Sequence, residues 1–123
     1  MNKQEIGRLG ESYAEKFLIS QNYKTVTKNY HSQWGEVDLI MLSPEMEMVF
    51  VEVKTRVRLS LGSPEESLTC KKVHRLIKTA MTFLMNCHKI SFQSWRIDLL
   101  ALKLNKTGRL IDLKHFKNIL YGC

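Results

Sequence analysis

The stretch WGEVDLIMLSPEMEMVFVEVKTR, from Trp34 to Arg56, constrains the fold of this chain more than any other. Two apolar-rich runs are broken at Ser43-Pro44-Glu45, where proline and polar side chains end both, so the segment reads as two strands of a hairpin. With Glu45 at the centre of the loop, Leu42 faces Met48, Ile40 faces Phe50, Asp38 faces Glu52 and Glu36 faces Lys54. Side chains alternate along a strand, which puts all of these on one side of the sheet. The other side carries Val37, Leu39 and Met41 against Val49, Val51 and Val53, and is wholly apolar. Such a hairpin is buried on one face and half-buried on the other, with three carboxylates and a lysine at its open end. A slip of one residue would put Asp38 and Glu52 on opposite faces.

That clustering costs energy. Directly opposed residues have Cβ atoms only ~4.5–5.5 Å apart, and like charges there repel. Two carboxylates at that separation share a proton or hold a cation, and a divalent metal suits such hard oxygen ligands. The pattern D…E-x-K therefore has a physical logic for cutting phosphodiesters. Asp38 and Glu52 are expected to bind Mg²⁺ (or Mn²⁺), with the carbonyl of Val53 as a third oxygen. Such a metal polarises a phosphoryl oxygen and acidifies a bound water. Lys54 points at the same volume, where it stabilises developing negative charge or orients the attacking hydroxide. The competing structural explanation is a Glu36–Lys54 ion pair with a spare carboxylate. It is the weaker of the two, because buried charge clusters rarely improve stability.

The rest of the chain supplies the scaffold. Ile6, Leu9, Gly10, Tyr13, Phe17 and Leu18 recur at helical intervals, predicting a helix from Lys3 to about Gln21. Gly7 and Gly10 near this stripe would let the helix approach a sheet closely. Glu11 flanks the stripe and could look towards the carboxylate cluster. Tyr23 to Tyr30 reads as a first strand, and His31 as a loop residue. Ser63-Pro64-Glu65-Glu66 is a helix start with a capping box, so a long helix is expected from Pro64 to about Asn86. Val73, Leu76, Ile77, Ala80, Phe83 and Leu84 form its apolar stripe. Ser94 to Leu104 is a strand in which Arg96 and Asp98 share a face, suggesting a structural ion pair. Arg109 to Leu113 makes a last strand, and His115 to Leu120 a short closing helix. The expected fold is a single α/β domain over residues 1–123, with a mixed five-stranded sheet flanked by an N-terminal helix and a long central helix.

With 123 residues the chain is long enough for one domain with a core and too short for two. No apolar run approaches the ~20 residues needed to cross a bilayer, and a secretory signal is not evident, so a cytoplasmic protein without a membrane partner is expected. Cys70, Cys87 and Cys123 have no C-x-x-C spacing and are expected to be reduced. The formal charge of +7 favours a polyanionic partner such as nucleic acid. Lys71, Arg75 and Lys78 recur at helical spacing as a basic ridge, which serves equally as a solvated face or a phosphate-binding one. Arg56 and Arg58 follow closely on Lys54 and join them as candidate phosphate contacts.

IGRLGESYAEKFL at Ile6–Leu18, GEVDLI at Gly35–Ile40, FVEVKTR at Phe50–Arg56, GSPEESL at Gly62–Leu68 and RIDLLAL at Arg96–Leu102 together resemble the YraN-like family of small bacterial proteins. That family is assigned to the restriction-endonuclease-like, PD-(D/E)xK, superfamily and is similar to archaeal Holliday-junction resolvases. The resemblance implies a restriction-endonuclease-like core in which Asp38, Glu52 and Lys54 match the D…E-x-K signature. Val37 stands where that signature has proline. Glu11 matches the helix glutamate of the junction resolvases and becomes a candidate site residue, with Glu36 behind it holding Lys54 or a water. The expected protein is a Mg-dependent DNA endonuclease acting on branched recombination or repair intermediates, with a homodimer as the natural form for cutting two strands. The alternative is a catalytically silent nucleic-acid-binding subunit of a DNA-processing complex.

Overall fold

The computed structural model describes residues 1–57 and 68–120. Helix α1 spans Lys3–Ser20 and starts at a capping box: the Asn2 side chain accepts from the Glu5 amide, and the Glu5 carboxylate accepts from the Asn2 amide. Asn22, in a left-handed conformation, turns the chain into the sheet. The strands are β1 (Lys24–Ser32), β2 (Gly35–Leu42), β3 (Glu47–Val57), β4 (Ser94–Leu104) and β5 (Leu110–Phe116), with helix α2 (Cys70–Met85) between β3 and β4. They form one five-stranded sheet in the order β1-β2-β3-β4-β5. Only β3 and β4 pair in parallel, so the sheet is mixed, as the element order implied.

Each face of the sheet buries one helix stripe. Ala14 and Leu18 of α1 pack with Leu39, Met41, Val49, Val51, Leu100 and Leu102. On the opposite face Leu76 and Ala80 of α2 pack with Ile40, Met48, Phe50 and Ile97. The hairpin thus alternates between two cores, with one exception. Val37 joins the α2-side core instead of sharing a face with Leu39 and Met41, so the side-chain alternation breaks between Val37 and Leu39. Gly10 lets α1 lie against β3, since a Cβ there would stand 1.9 Å from Thr55 Oγ1. Gly7 has nothing within 4 Å of a built Cβ and is not needed for this approach.

The far end of the structure departs from expectation in three places. Helix α2 begins at Cys70, because Thr69 is extended and its hydroxyl accepts from the Lys72 amide at 3.2 Å, a cap that sets the first turn. The expected start at Ser63 and Pro64 lies outside the described residues, but no continuous helix reaches Cys70 from there. Cys70 is disulfide-bonded, contrary to the expectation of reduced cysteines, while Cys87 is free. Finally, β5 continues through His115 and Phe116 in place of a closing helix.

Asp98 explains that last difference. Its buried carboxylate accepts from Arg96 Nε at 3.0 Å and from the Asn118 amide at 2.9 Å, and lies 2.7 Å from His115 Nε2. Arg96 also donates to the Tyr23 hydroxyl and to Glu47. The expected Arg96–Asp98 pair is therefore the centre of a larger network, which ties the extended His115 and the amide of Asn118 to β4. Burial by itself raises the Asp98 pKa, but the hydrogen bonds from His115, Arg96 and Asn118 outweigh it and hold the carboxyl below its ordinary value.

A depressed folded-state pKa contributes stability that is complete above the unfolded value of 3.8 and is lost as pH falls below it. Asp98→Asn should cost about 3–5 kcal/mol at neutral pH, the usual loss on removing one member of a buried charge network. Its urea-derived stability should also fall less steeply than the wild type's between pH 4 and pH 2. Gly10→Ala should cost about 1–3 kcal/mol by overpacking, despite the better helix propensity of alanine. A second change, Thr55→Ala, should recover part of that loss. A Gly10→Ala protein more stable than wild type would exclude the close approach of α1 to β3.

Candidate active site

The hairpin keeps the predicted register only part of the way. Leu42↔Met48, Met41↔Val49, Ile40↔Phe50 and Leu39↔Val51 are paired, and there the β2–β3 ladder ends. Asp38 is not paired with Glu52, nor Glu36 with Lys54. Beyond this point β2 stays with β1 as far as Gly35↔Ser32, and β3 stays with β4 as far as Val57↔Leu104. The sheet therefore forks between its second and third strands. Asp38 sits at the fork, where its Oδ2 accepts from the Val53 amide at 2.8 Å. A side-chain oxygen takes the place of a backbone carbonyl, so the ladder ends without an orphaned amide.

The fork brings the acidic residues together in a different way from a flat ladder. Glu52 is half-buried and in hydrogen-bond contact with Asp38. Its pKa is pushed up to about 9 by burial first, then by the hydrogen bond and the charge of Asp38, against the opposing effect of Lys54 and Lys72. Glu52 thus keeps its proton at neutral pH in the metal-free protein. Glu11, on the α1 side, has its pKa raised to about 7 by burial and by the charges of Asp38 and Glu36, with Lys28 and Asn29 opposing. Asn29 links the two glutamates. With the side-chain amide oriented so that its nitrogen faces the carboxylates, it donates to Glu36 Oε1 at 3.1 Å and to Glu11 Oε1 at 3.0 Å. Its left-handed backbone, at φ 52°, falls within β1.

Glu36 does not hold Lys54, the first of its two expected roles. It is exposed, bonded to Asn29 and 3.9 Å from His31 Nδ1. Among the described residues Lys54 makes no ion pair, which removes the Glu36–Lys54 bridge as an explanation for its placement. Its charge acts instead on Glu52, lowering its pKa. Val53 meets the site through its amide, where its carbonyl had been expected. Among the described residues no three or more His, Cys, Asp or Glu side chains are gathered as a ready-made metal cage.

A cleft of about 180 Å³ opens on the α2 side, lined by Glu36 and Glu52 on the sheet and by Lys72, Arg75 and Thr79 on the helix. Of the expected phosphate contacts, Lys71, Arg75 and Lys78 are exposed on α2 and Arg56 is half-buried on β3. Arg58 lies outside the described residues. Two contributors were not assigned from the sequence. Lys72 faces Glu52 electrostatically, a position set by the Thr69 cap. Asn29 bridges two carboxylates because of a local backbone conformation that strand periodicity does not signal.

The profile of the Uncharacterised protein family UPF0102 matches residues 10–102. The chain is 34% identical over 119 residues to a UPF0102 protein of Bifidobacterium longum, covering 96% of this chain and 94% of the relative. It is 40% identical over 110 residues to one from Sulfurihydrogenibium sp., covering 89% and 94%. With the relative from Dictyoglomus turgidum the identity is 34% over 118 residues, covering 96% and 98%. No helix among the described residues is long and apolar enough to cross a membrane. Matched along nearly its whole length, this chain belongs to the UPF0102, or YraN-like, family.

Proposed function

We propose that the forked sheet edge is the active site of a metal-dependent nuclease of the restriction-endonuclease-like superfamily, related to archaeal junction resolvases. Its substrate is DNA, in branched recombination or repair intermediates. The contact between Asp38 and Glu52 carries this reading. A buried carboxyl group whose proton is held in place by burial and a neighbouring carboxylate is a natural place for a divalent cation, which relieves the same repulsion. The donor set fits Mg²⁺ or Mn²⁺, which are commonly held by one or two carboxylates and completed by water and substrate phosphate oxygens. Within a strand the amide and carbonyl of one residue turn to the same side. The Val53 carbonyl therefore opens onto the fork beside Asp38 and remains a candidate third ligand.

A bound metal would supply Lewis-acid polarisation of the phosphoryl oxygen and a more acidic water. The chain's own residues do the rest. Lys54, without a structural partner among the described residues, stabilises the charge that builds on the phosphate as the bond breaks. Glu11, with a pKa of about 7, is poised to take or give a proton near neutrality. Lys72 and Arg75 flank the phosphate path in the cleft, Lys71 and Lys78 extend it along α2, and Arg56 extends it along β3. Cutting a four-way substrate on two strands requires two such sites, so the working form is a cytoplasmic homodimer.

The assay is cleavage of linear, single-stranded, flapped and four-way DNA with Mg²⁺ or Mn²⁺. Lys54→Ala should lower the single-turnover rate by about 10²-fold or more while leaving DNA binding in Ca²⁺ near wild type. Binding without cleavage by the wild type would instead favour a silent binding subunit. The acid pair gives a second, independent readout. Because burial and Asp38 raise the Glu52 pKa from 4.5 to about 9, the metal-free protein should lose stability as pH rises between those values. Glu52→Gln should flatten that slope. Mg²⁺ or Mn²⁺ should raise the wild-type melting temperature, more at pH 8.5 than at pH 6, because it competes with the proton on Glu52. An equal metal response in Glu52→Gln would remove Glu52 as a ligand.

A further inference from the structure

Trp34 stands at the mouth of the cleft that Glu52, Lys72 and Arg75 line. It is 42% exposed, an unusual state for the largest apolar side chain, and nothing in the hairpin's packing requires it. Its position is nevertheless fixed. The Trp34 amide donates to Ser32 Oγ at 3.0 Å, and Ser32 Oγ lies 3.0 Å from the buried Thr79 hydroxyl on α2. Gly35 follows at φ 146°, a conformation that side chains rarely adopt, and turns the chain directly into β2. Lys78 holds its ammonium 4.5 Å from the centroid of the indole ring. The β1–β2 turn is therefore clamped to the helix, presenting an aromatic plane beside the acidic residues with cations around it.

A clamped, exposed aromatic ring amid basic side chains matches what single-stranded nucleic acid needs. A base stacks on the ring while cations follow the backbone. In continuous duplex the bases are paired and stacked on one another, so their faces are not available to a side chain. We propose that Trp34 is a stacking platform for one unpaired nucleobase next to the phosphate that enters the fork. The site would then select nucleic acid with an unpaired nucleotide at the cut, as in a flap, a junction point or a single strand, over continuous duplex. This rests on the nucleic-acid reading of the site given above, and it adds the feature of the substrate that the site recognises.

The test is fluorescence anisotropy in Ca²⁺ with labelled flapped, single-stranded and blunt duplex DNA, using the wild type, Trp34→Ala and Trp34→Phe. Thermal melting should show all three folded alike, since Trp34 is at the surface. Trp34→Ala should weaken binding to flapped and single-stranded DNA by about tenfold or more, the usual effect of losing one base–aromatic stack, and leave duplex binding unchanged. Trp34→Phe keeps an aromatic face and should recover most of the affinity. In a Trp95→Phe background, single-stranded DNA should quench the remaining indole fluorescence, and the same strand with abasic sites should not. Binding by wild type with no loss in Trp34→Ala, or equal loss on duplex and single strand, would overturn the platform and leave the nuclease reading standing. No binding of any DNA by the wild type would overturn both.

Discussion

One hydrogen bond decides the shape of the functional end of this protein. Asp38 Oδ2 accepts from the Val53 amide at the point where β2 and β3 stop pairing. Without an acceptor there, either the ladder would have to continue or a strand amide would be left unsatisfied. Continuing it would set Asp38 directly opposite Glu52 and Glu36 opposite Lys54. By bonding the backbone itself, Asp38 lets the strands separate and turns a flat sheet edge into a concave one. The same carboxyl group then touches Glu52, so the residue that ends the ladder also supplies half of the acid pair.

The two faces of the fork have different chemistry. On the α1 side, Asn29 bridges Glu11 to Glu36, and burial and neighbouring carboxylates raise the Glu11 pKa to about 7. On the α2 side, Lys72 and Arg75 oppose Glu52 across a cleft. Helix packing holds both arrangements. Gly10 brings α1 against Thr55 and so sets the height of Glu11, its neighbour. The Ser32–Thr79 contact fixes α2 against the turn before β2. A site of this kind tolerates little shift of either helix, because its electrostatics depend on burial as much as on contact.

Much of this could be read from residue order. The inner half of the hairpin followed alternation, because two apolar faces and a proline-marked loop leave one workable register from Leu39↔Val51 to Leu42↔Met48. The Arg96–Asp98 pair followed from two charges on one face of an apolar strand, and the approach of α1 from Gly10. The rest depended on contacts between distant segments. The fork arises where side-chain charge competes with ladder hydrogen bonds, and periodicity has no term for that. Val37 packs in the α2-side core, a change of side that simple alternation does not signal. His115 stays in β5, and the chain turns at Asn118 in a left-handed conformation, because Asp98, on another strand, satisfies both. The start of α2 at Cys70 follows from the Thr69 cap, which apolar periodicity does not signal.

The parallel pairing of β3 with β4, from Glu47↔Ser94 to Val57↔Leu104, gives the site a particular place in the assembly of the fold. The β1–β2 and β2–β3 hairpins join neighbouring segments, whereas the β3–β4 ladder joins segments separated by the whole α2 crossover. Closing the longer connection costs more chain entropy, and its contacts are correspondingly slow to form. Glu52 and Lys54 lie on the strand that belongs to both parts. Until β4 is in place, β3 has no second partner to draw it away from β2, and the cleft has no settled depth. The proposed cation and phosphate site is therefore not a property of the hairpin, although the hairpin carries nearly all the residues concerned. It belongs to the completed topology.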